Sequence, residues 1–421
     1  MPSSGKLKFN IHLSIAILTL VILLMSSMSF AFFEISGIGA RGFEVKLFRF
    51  MLLCAIIALY VIWIIIQLKL TFPKPILIFL GLIIYSTIVS VILNSPREYG
   101  PSLLRYFTYI VTFNLFYLIV SEISRETVLS IMRWFSLACI LISIFFGFLE
   151  IFTGNVQYLN GAFRVAGPFK WHQLAFAMFL FCCMMITDFV FFRQMKTLRW
   201  KLFYGFIWLL LFYLLIRTGS RALFVIVFLV YFLMAFLKTD SFRKKLLISS
   251  IAVIISIGSA IAIVSLNISP RLARMIVSDD KTGDGSTASR IAIHINAYQG
   301  LDDLDKLMGV GLGGFTKFYQ DVTGSEDIAA HNNYLMFFVE SGYLGVILYL
   351  GFQIVLFFRL LRLIKWNKDD PFINVAFALF LGIDVLSFLQ NNFYFLESET
   401  ITWAFYGVAF GIEHIDFNHG G

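Results

Sequence analysis

Arg217-Thr-Gly-Ser-Arg221 sets two guanidinium groups on either side of a Gly-Ser turn. Such a turn forms a compact anion-binding concavity, and the planar fork of Arg grips phosphate oxygens in pairs. A diphosphate is the kind of anion that needs such a site. Arg164 and Arg290 are further arginines beside apolar runs; any one of them alone equally suits snorkelling to headgroup phosphates. His331-Asn332-Asn333 stands just ahead of the apolar stretch YLMFFVESGYLG. Either Asn can cap a helix there, whose N-terminus favours an anion. His331 titrates near neutral pH, so it can take a proton from an attacking hydroxyl. Glu340 lies about two and a half helical turns further on, which suits an Arg partner inside a bundle better than His331.

Two other patterns carry less. GVGLGG at 309–314 matches G-x-G-x-x-G, but a dinucleotide site needs a preceding strand, and the lead-in here is LDDLDKLM. Gly311 and Gly313 are better read as letting the backbone approach a bulky ligand or turn the chain. Glu150, His172, Asp188 and Asp384 are scattered over separate apolar runs and define no ion pathway. His294 shares a helical face with Arg290 but ranks below His331, since nothing around it in the sequence marks a site.

The elements that must position these residues are membrane spans. Of 421 residues, 59% are hydrophobic and 14% charged, mean hydropathy is +0.86, and 49 are Phe. Ordinary soluble domains are about a quarter charged, so this is the composition of a polytopic membrane protein. Cys54, Cys139, Cys182 and Cys183 fall inside apolar runs as small hydrophobes, with no disulfide or zinc spacing. The net charge of +8 has no compact basic domain to hold nucleic acid and reflects topology instead.

A crossing takes about 20 apolar residues, and about twelve runs qualify. They lie near 12–33, 50–66, 76–93, 102–121, 134–152, 171–192, 202–216, 222–238, 246–268, 342–364, 372–390 and 399–413. The first is too long for a cleavable signal peptide and is read as a span. Basic residues crowd the short loops at Lys69–Lys74, 193–201 and Arg359–Lys368, which puts those loops and both termini in the cytoplasm. The opposite side is rich in Arg: Arg41, Arg49, Arg97, Arg105, Arg164, Arg217, Arg221, Arg271, Arg274 and Arg290. Residues 1–421 then form a single integral membrane domain, with 269–331 an outer loop between the ninth and tenth spans. Within it, 278–289 reads as a mobile loop. Residues 290–301 read as an amphipathic helix with Ile291, Ile295 and Tyr298 near one face.

Together, R-x-G-S-R at 217–221, Ser289-Arg290, GLGGF at 311–315 and H-N-x-Y-L-x(5)-E-x-G-x-x-G from His331 to Gly345 resemble the O-antigen polymerase and O-antigen ligase superfamily. RVAGPFKWHQLA at 164–175 is similar to that family's G-x-F stretch. The resemblance is detailed over the second half of the chain and rests on span layout in the first. It implies an all-α polytopic membrane glycosyltransferase of the GT-C type in the bacterial inner membrane, working at the periplasmic face. Its donor and acceptor would be undecaprenyl-diphosphate-linked oligosaccharides, without cofactor, nucleotide sugar or metal. Membrane lipid and a chain-length regulator protein are the further partners implied. Carried over, Arg164, Arg217, Arg221 and Arg290 hold the diphosphate and His331 is the base. Arg290 also stabilises leaving-group charge, and Gly311, Gly313, Asn332, Asn333 and Glu340 position substrate or loop.

HNNYLMFFVESGYLG and the Phe-rich spans are more similar to the polymerases than to the ligases, which transfer to lipid A core instead. A transporter of the same lipid-linked sugars is the alternative from another class. It accounts for spans and buried arginines, but not for a His at a helix start after a long outer loop.

Overall fold

Backbone polar groups in lipid must be satisfied within their own segment, so runs this apolar have to become helices. The computed structural model describes residues 42–67, 72–93, 96–122, 125–154, 157–159, 162–169, 172–239, 285–325, 328–384, 386–388 and 396–419, with isolated positions in 14–25 and 241–258. In chain order these form α1 (Gly42–Gln67), α2 (Lys74–Ile92), α3 (Pro96–Glu122), α4 (Arg125–Thr153), a hairpin of β1 (Gln157–Leu159) and β2 (Ala162–Arg164), α5 (Gln173–Ile186), α6 (Leu198–Thr218) and α7 (Arg221–Lys238). Then follow α8 (Gly285–Gly300), α9 (Asp303–Met308), α10 (Phe315–Thr323), α11 (Asn333–Trp366), α12 (Pro371–Leu379) and α13 (Leu396–His419).

Among the described residues, seven helices are long and apolar enough to cross a membrane: Lys74–Ile92, Tyr99–Ser121, Glu126–Thr153, Gln173–Gln194, Leu198–Thr218, Arg221–Lys238 and Asn333–Trp366. Cys54–Ile64 and Pro371–Asp384 are shorter apolar helices. The protein is thus a helical, multi-pass membrane protein. The expected first and ninth spans lie outside the described residues but for isolated positions, as do Arg41, Arg271, Arg274 and the loop up to 284. The expected tenth span starts nine residues early, at Asn333, and is broken at Gly342, whose φ of 62° and ψ of −164° leave the helical region.

The core is aromatic. Trp403 of α13 stacks on Phe352 of α11 at 5.6 Å and meets Phe79 of α2 at 4.9 Å and Tyr109 of α3 at 5.8 Å. α13 crosses α3 at Gly407 and Gly411, where a Cβ would run into the Phe113 carbonyl and the Val120 side chain. Small residues four apart permit such close crossings where lipid gives no hydrophobic drive. Among the seven candidate spans, Gln173–Gln194, which begins with α5, is the most enclosed.

The helices alternate, which gives the bundle two polar ends. One gathers the hairpin, the 217–221 turn, α8 and the start of α11. The other gathers 193–201, Lys238 and Lys368, where Lys238 Nζ donates to the Lys368 carbonyl at 2.8 Å.

Candidate functional site

The 217–221 turn is built from one glycine. Gly219 ends α6 in the left-handed region (φ 70°), and its N–H donates to the Ile216 carbonyl at 3.0 Å. Thr218 Oγ1 donates to the Leu215 carbonyl and accepts the Ser220 N–H, so the turn closes on itself. α7 then starts at Arg221 with no side chain capping its first N–H groups. An uncapped N-terminus of an 18-residue helix presents partial positive charge and open donors.

The hairpin is laid onto this turn. Val165 N–H donates to the Arg217 carbonyl at 3.1 Å, and the Arg164 side chain lies against Gly219, its Cδ 3.5 Å from where a Cβ would stand. Glu150, at the end of α4, holds the segment by accepting the N–H groups of Ala166 at 2.9 Å and Gly167 at 2.5 Å. This is a positioning role that the sequence alone does not assign to Glu150.

α8 brings Arg290 to the same place. Burial lowers both the Arg164 and the Arg290 guanidinium from the usual arginine range, and the Arg221 charge lowers each further. The structure therefore brings Arg164, Arg217, Arg221 and Arg290 together. Arg164 Nε and Nη2 and Arg217 Nε are buried without a hydrogen-bond partner. Desolvated donors on clustered cations are costly unless an acceptor arrives, and phosphate oxygens match them in geometry and charge.

His294, ranked low from sequence, belongs to this group. Its Nε2 is buried and unpartnered, and its pKa is lowered from 6.5 by burial and then by Arg290. The signal was its place one turn after Arg290. What the sequence could not show is that this face of α8 turns toward the 217–221 turn. Conversely, Ile291, Ile295 and Tyr298 form the exposed face of α8, at about half exposure, while Ile293 and Ala297 are its buried contacts. Tyr298 stacks on Phe338 of α11 at 5.9 Å, beside exposed Leu344 and Ile347.

His331 stands at the start of α11 with φ 53°, a left-handed conformation unusual for a residue with a side chain. Asn332 caps the helix: its Oδ1 accepts from Tyr334 N at 2.7 Å and Leu335 N at 3.1 Å, and its amide donates to the Phe388 carbonyl at 3.1 Å. Asn333 is buried, and its N–H donates to the Ser387 carbonyl at 3.0 Å. Two elements thus clamp the backbone around His331. Strain held this way marks a place where position matters more than comfort.

The glycine loop does something the sequence did not reveal. Val310 N–H and Gly311 N–H donate to the carbonyls of Val339 and Glu340, at 2.8 and 3.0 Å, just ahead of the break at Gly342. A Cβ on Gly309 would collide with the Ser341 nitrogen and Glu340 carbonyl; one on Gly342 would collide with the Leu307 carbonyl. The close approach at Gly309 and Gly342 is therefore between the loop and α11. Gly311 and Gly313 turn the chain with φ of 100° and 75°, and Leu312 N–H donates to Ser90 Oγ at 2.6 Å. Glu340 is fully enclosed behind the loop. Both its oxygens lack hydrogen-bond geometry, though they face the N–H groups of Gly313 and Phe315, and Arg105 supplies favourable charge. Asp188 and Asp384 are tied up in structure: Asp188 pairs with Arg193 at 2.7 Å, and Asp384 accepts from Gln353 and Tyr406.

These features define a class: a multi-pass helical membrane protein with a cluster of arginines at one end. Residues 206–350 match the model of a family described as O-Antigen ligase. That window covers about a third of the chain and holds Arg217, Arg221, Arg290, His331 and Glu340, and over it the chain is similar to the O-antigen polymerase and ligase superfamily. The match supports a role in lipopolysaccharide or polysaccharide biosynthesis, with a glycosyltransferase-like activity. Comparison with curated proteins gives no match.

Proposed function

We propose that the chain is an O-antigen polymerase that joins undecaprenyl-diphosphate-linked repeat units at the periplasmic face of the inner membrane, both termini lying in the cytoplasm. The observation that carries this is the convergence of Arg164, Arg217, Arg221 and Arg290 on an uncapped helix N-terminus, with buried N–H groups lacking acceptors.

In this reading the donor's diphosphate lies among the arginines and against the first turn of α7. His294 Nε2 joins the same anion. The acceptor hydroxyl oxygen bonds to the donor's anomeric carbon, and its proton passes to His331. The bond from that carbon to the phosphate oxygen breaks, with the electron pair leaving on the lipid diphosphate. The arginines stabilise that added charge more in the transition state than before it, which is where binding energy becomes rate. Direct displacement inverts the anomeric centre, and the reading requires neither cofactor nor metal. The Asn332 cap and the glycine loop, braced by Glu340, hold the start of α11 in place. Membrane lipid surrounds the protein, and a chain-length regulator is a further partner of this reading.

A second reading, transfer to lipid A core, is favoured by the description of the matching family. Purified protein given one defined lipid-linked repeat separates the outcomes. Ladders of lipid-linked glycan support the polymerase. Product only when lipid A core is added supports the ligase. Movement of the lipid across vesicles without new glycosidic bonds would overturn the enzyme reading.

A further inference from the structure

A second feature lies at the opposite end of the bundle, where α5 leaves the membrane and α6 enters it. A cavity of about 290 Å³ is lined by Asp188, Phe192, Arg193, Gly205, Trp208 and Tyr231. A neighbouring one of about 400 Å³ is lined by Leu198, Lys201, Leu202 and Phe206. Both also share Phe192, Gly205 and Leu209, so they form one groove along α6. Gly205 opens it, and from Lys201 to Leu209 it runs about 12 Å down the helix. Beside it, α5 continues as a π turn at Thr187–Phe191, a departure from α-helix that often accompanies binding sites.

The chemistry of the groove is mixed. Most of its lining is apolar, and Trp208 Nε1 already donates to Tyr231 Oη at 2.9 Å. Its basic lining residues are Arg193, paired with Asp188, and Lys201, and Lys196 and Arg199 belong to the same nine-residue stretch. Arg193 binds Asp188 through Nε and Nη2, yet stays 45% exposed. A largely apolar trough with basic lining residues complements an amphiphile with an anionic head.

We propose that this groove holds one anionic glycerophospholipid, its acyl chain against Gly205 and Leu209 and its phosphate at Lys201 and Arg193, with the charge of Arg199 two residues from Lys201 in sequence. The site is separate from the arginine cluster and does not rest on the polymerase reading. A bound lipid here would pack the gap between α5 and α6 and tie their shared loop to the membrane surface.

Native mass spectrometry of the detergent-solubilised full chain tests it, with phosphatidylglycerol and phosphatidylethanolamine of identical acyl chains as probes. The expected result is retention of one phosphatidylglycerol, with phosphatidylethanolamine weaker by about five-fold or more. Gly205→Leu fills the groove; its Cβ meets the Phe192 ring at an ordinary 3.5 Å, so the fold should persist while phosphatidylglycerol binding drops by a similar factor. Charge reversal by Arg199→Glu with Lys201→Glu should abolish the headgroup preference while leaving residual binding. If Gly205→Leu does not fold, the charge-reversal variant decides alone. Equal binding of the two lipids by the native chain would overturn the proposal, as would phosphatidylglycerol binding unchanged in the folded variants. A dimer lost on Gly205→Leu would assign the groove to a second copy instead.

Discussion

The two polar ends of the bundle both carry arginines, but they treat them in opposite ways. At the end of α5, Arg193 is paired with Asp188 at 2.7 Å; near the ends of α11 and α13, Arg359 is paired with Glu413 at 2.9 Å. Lys238 donates to a backbone carbonyl at that same end. At the other end, Arg164 and Arg217 keep buried N–H groups without acceptors, and Arg221 raises the cost of holding Arg164 and Arg290 charged. Arg193 and Arg359 have acidic partners, whereas Arg164 and Arg217 keep buried donors with no acceptor among the described residues, and an external anion is the simplest missing partner for those two.

The largest expected effect tests that contrast through activity. Arg217→Ala or Arg290→Ala should lower glycan transfer in vitro about 10²–10³-fold, the usual loss when one donor to a developing anion is removed. Arg193→Ala, at the paired end, should stay within about three-fold of the native rate by the same scale. Equal losses at both ends would erase the distinction.

Next is the brace under the site. Gly309→Ala places a side chain at φ 86° and drives it into the backbone at Glu340–Ser341. A cost of about 3 kcal/mol or more is expected, read as a lowered unfolding midpoint in detergent. Gly258→Ala and Gly351→Ala, where a Cβ meets nothing within 4 Å, are the controls and should leave the midpoint nearly unchanged.

That brace also marks the limit of what the sequence could say. The arginines were legible because topology alone sorts them to one side, and their type separates phosphate gripping from generic cationic charge. The cap at Asn332 was legible as a local pattern, although the choice between Asn332 and Asn333 was not. The break at Gly342 was invisible. Apolar periodicity runs on through Tyr343-Leu344 without a proline, and the carbonyls ahead of the break are satisfied by Val310 and Gly311, some thirty residues earlier. A glycine loop pairing with a distant half-helix leaves only glycines in the sequence, which is why GVGLGG first suggested ligand approach. Ile291, Ile295 and Tyr298 do share one face of α8, but which way that face turns was not legible, for a related reason. Ile291, Ile295 and Tyr298 would point inward in water, but beside lipid the apolar face can point out, so apolarity no longer separates inside from outside.

A smaller effect reverses the sign between the ends. Arg359→Ala should destabilise by about 1–3 kcal/mol, because Glu413 is left nearly buried without its partner. Arg193→Ala should destabilise by a similar amount, because Asp188, only 11% exposed, likewise loses its partner. Arg164→Met, which removes unpartnered donors from the other end, should leave the unfolding midpoint unchanged or raise it while weakening transfer. A lowered midpoint for Arg164→Met would mean that the arginine cluster is structural after all.

The smallest effect is one of pH, and it distinguishes an anion site from a merely crowded one. Burial and Arg290 hold the His294 pKa below 6.5. The folded chain therefore prefers the neutral imidazole, and this contribution to stability is present above pH 6.5 and is lost as pH falls below it. A bound diphosphate supplies negative charge that offsets both causes, so His294 should take up a fraction of a proton on binding. The affinity for inorganic diphosphate, measured by calorimetry, should then rise as pH falls through the region near and below 6.5, with proton uptake in matched buffers. The charge that acts on His294 is Arg290, one turn earlier on α8. His294→Gln keeps a hydrogen-bond donor but cannot titrate. It should bind with a flatter pH profile and no uptake from this residue, leaving only diphosphate's own ionisation. An unchanged profile in His294→Gln would remove His294 from the site and leave the arginines to hold the anion by themselves.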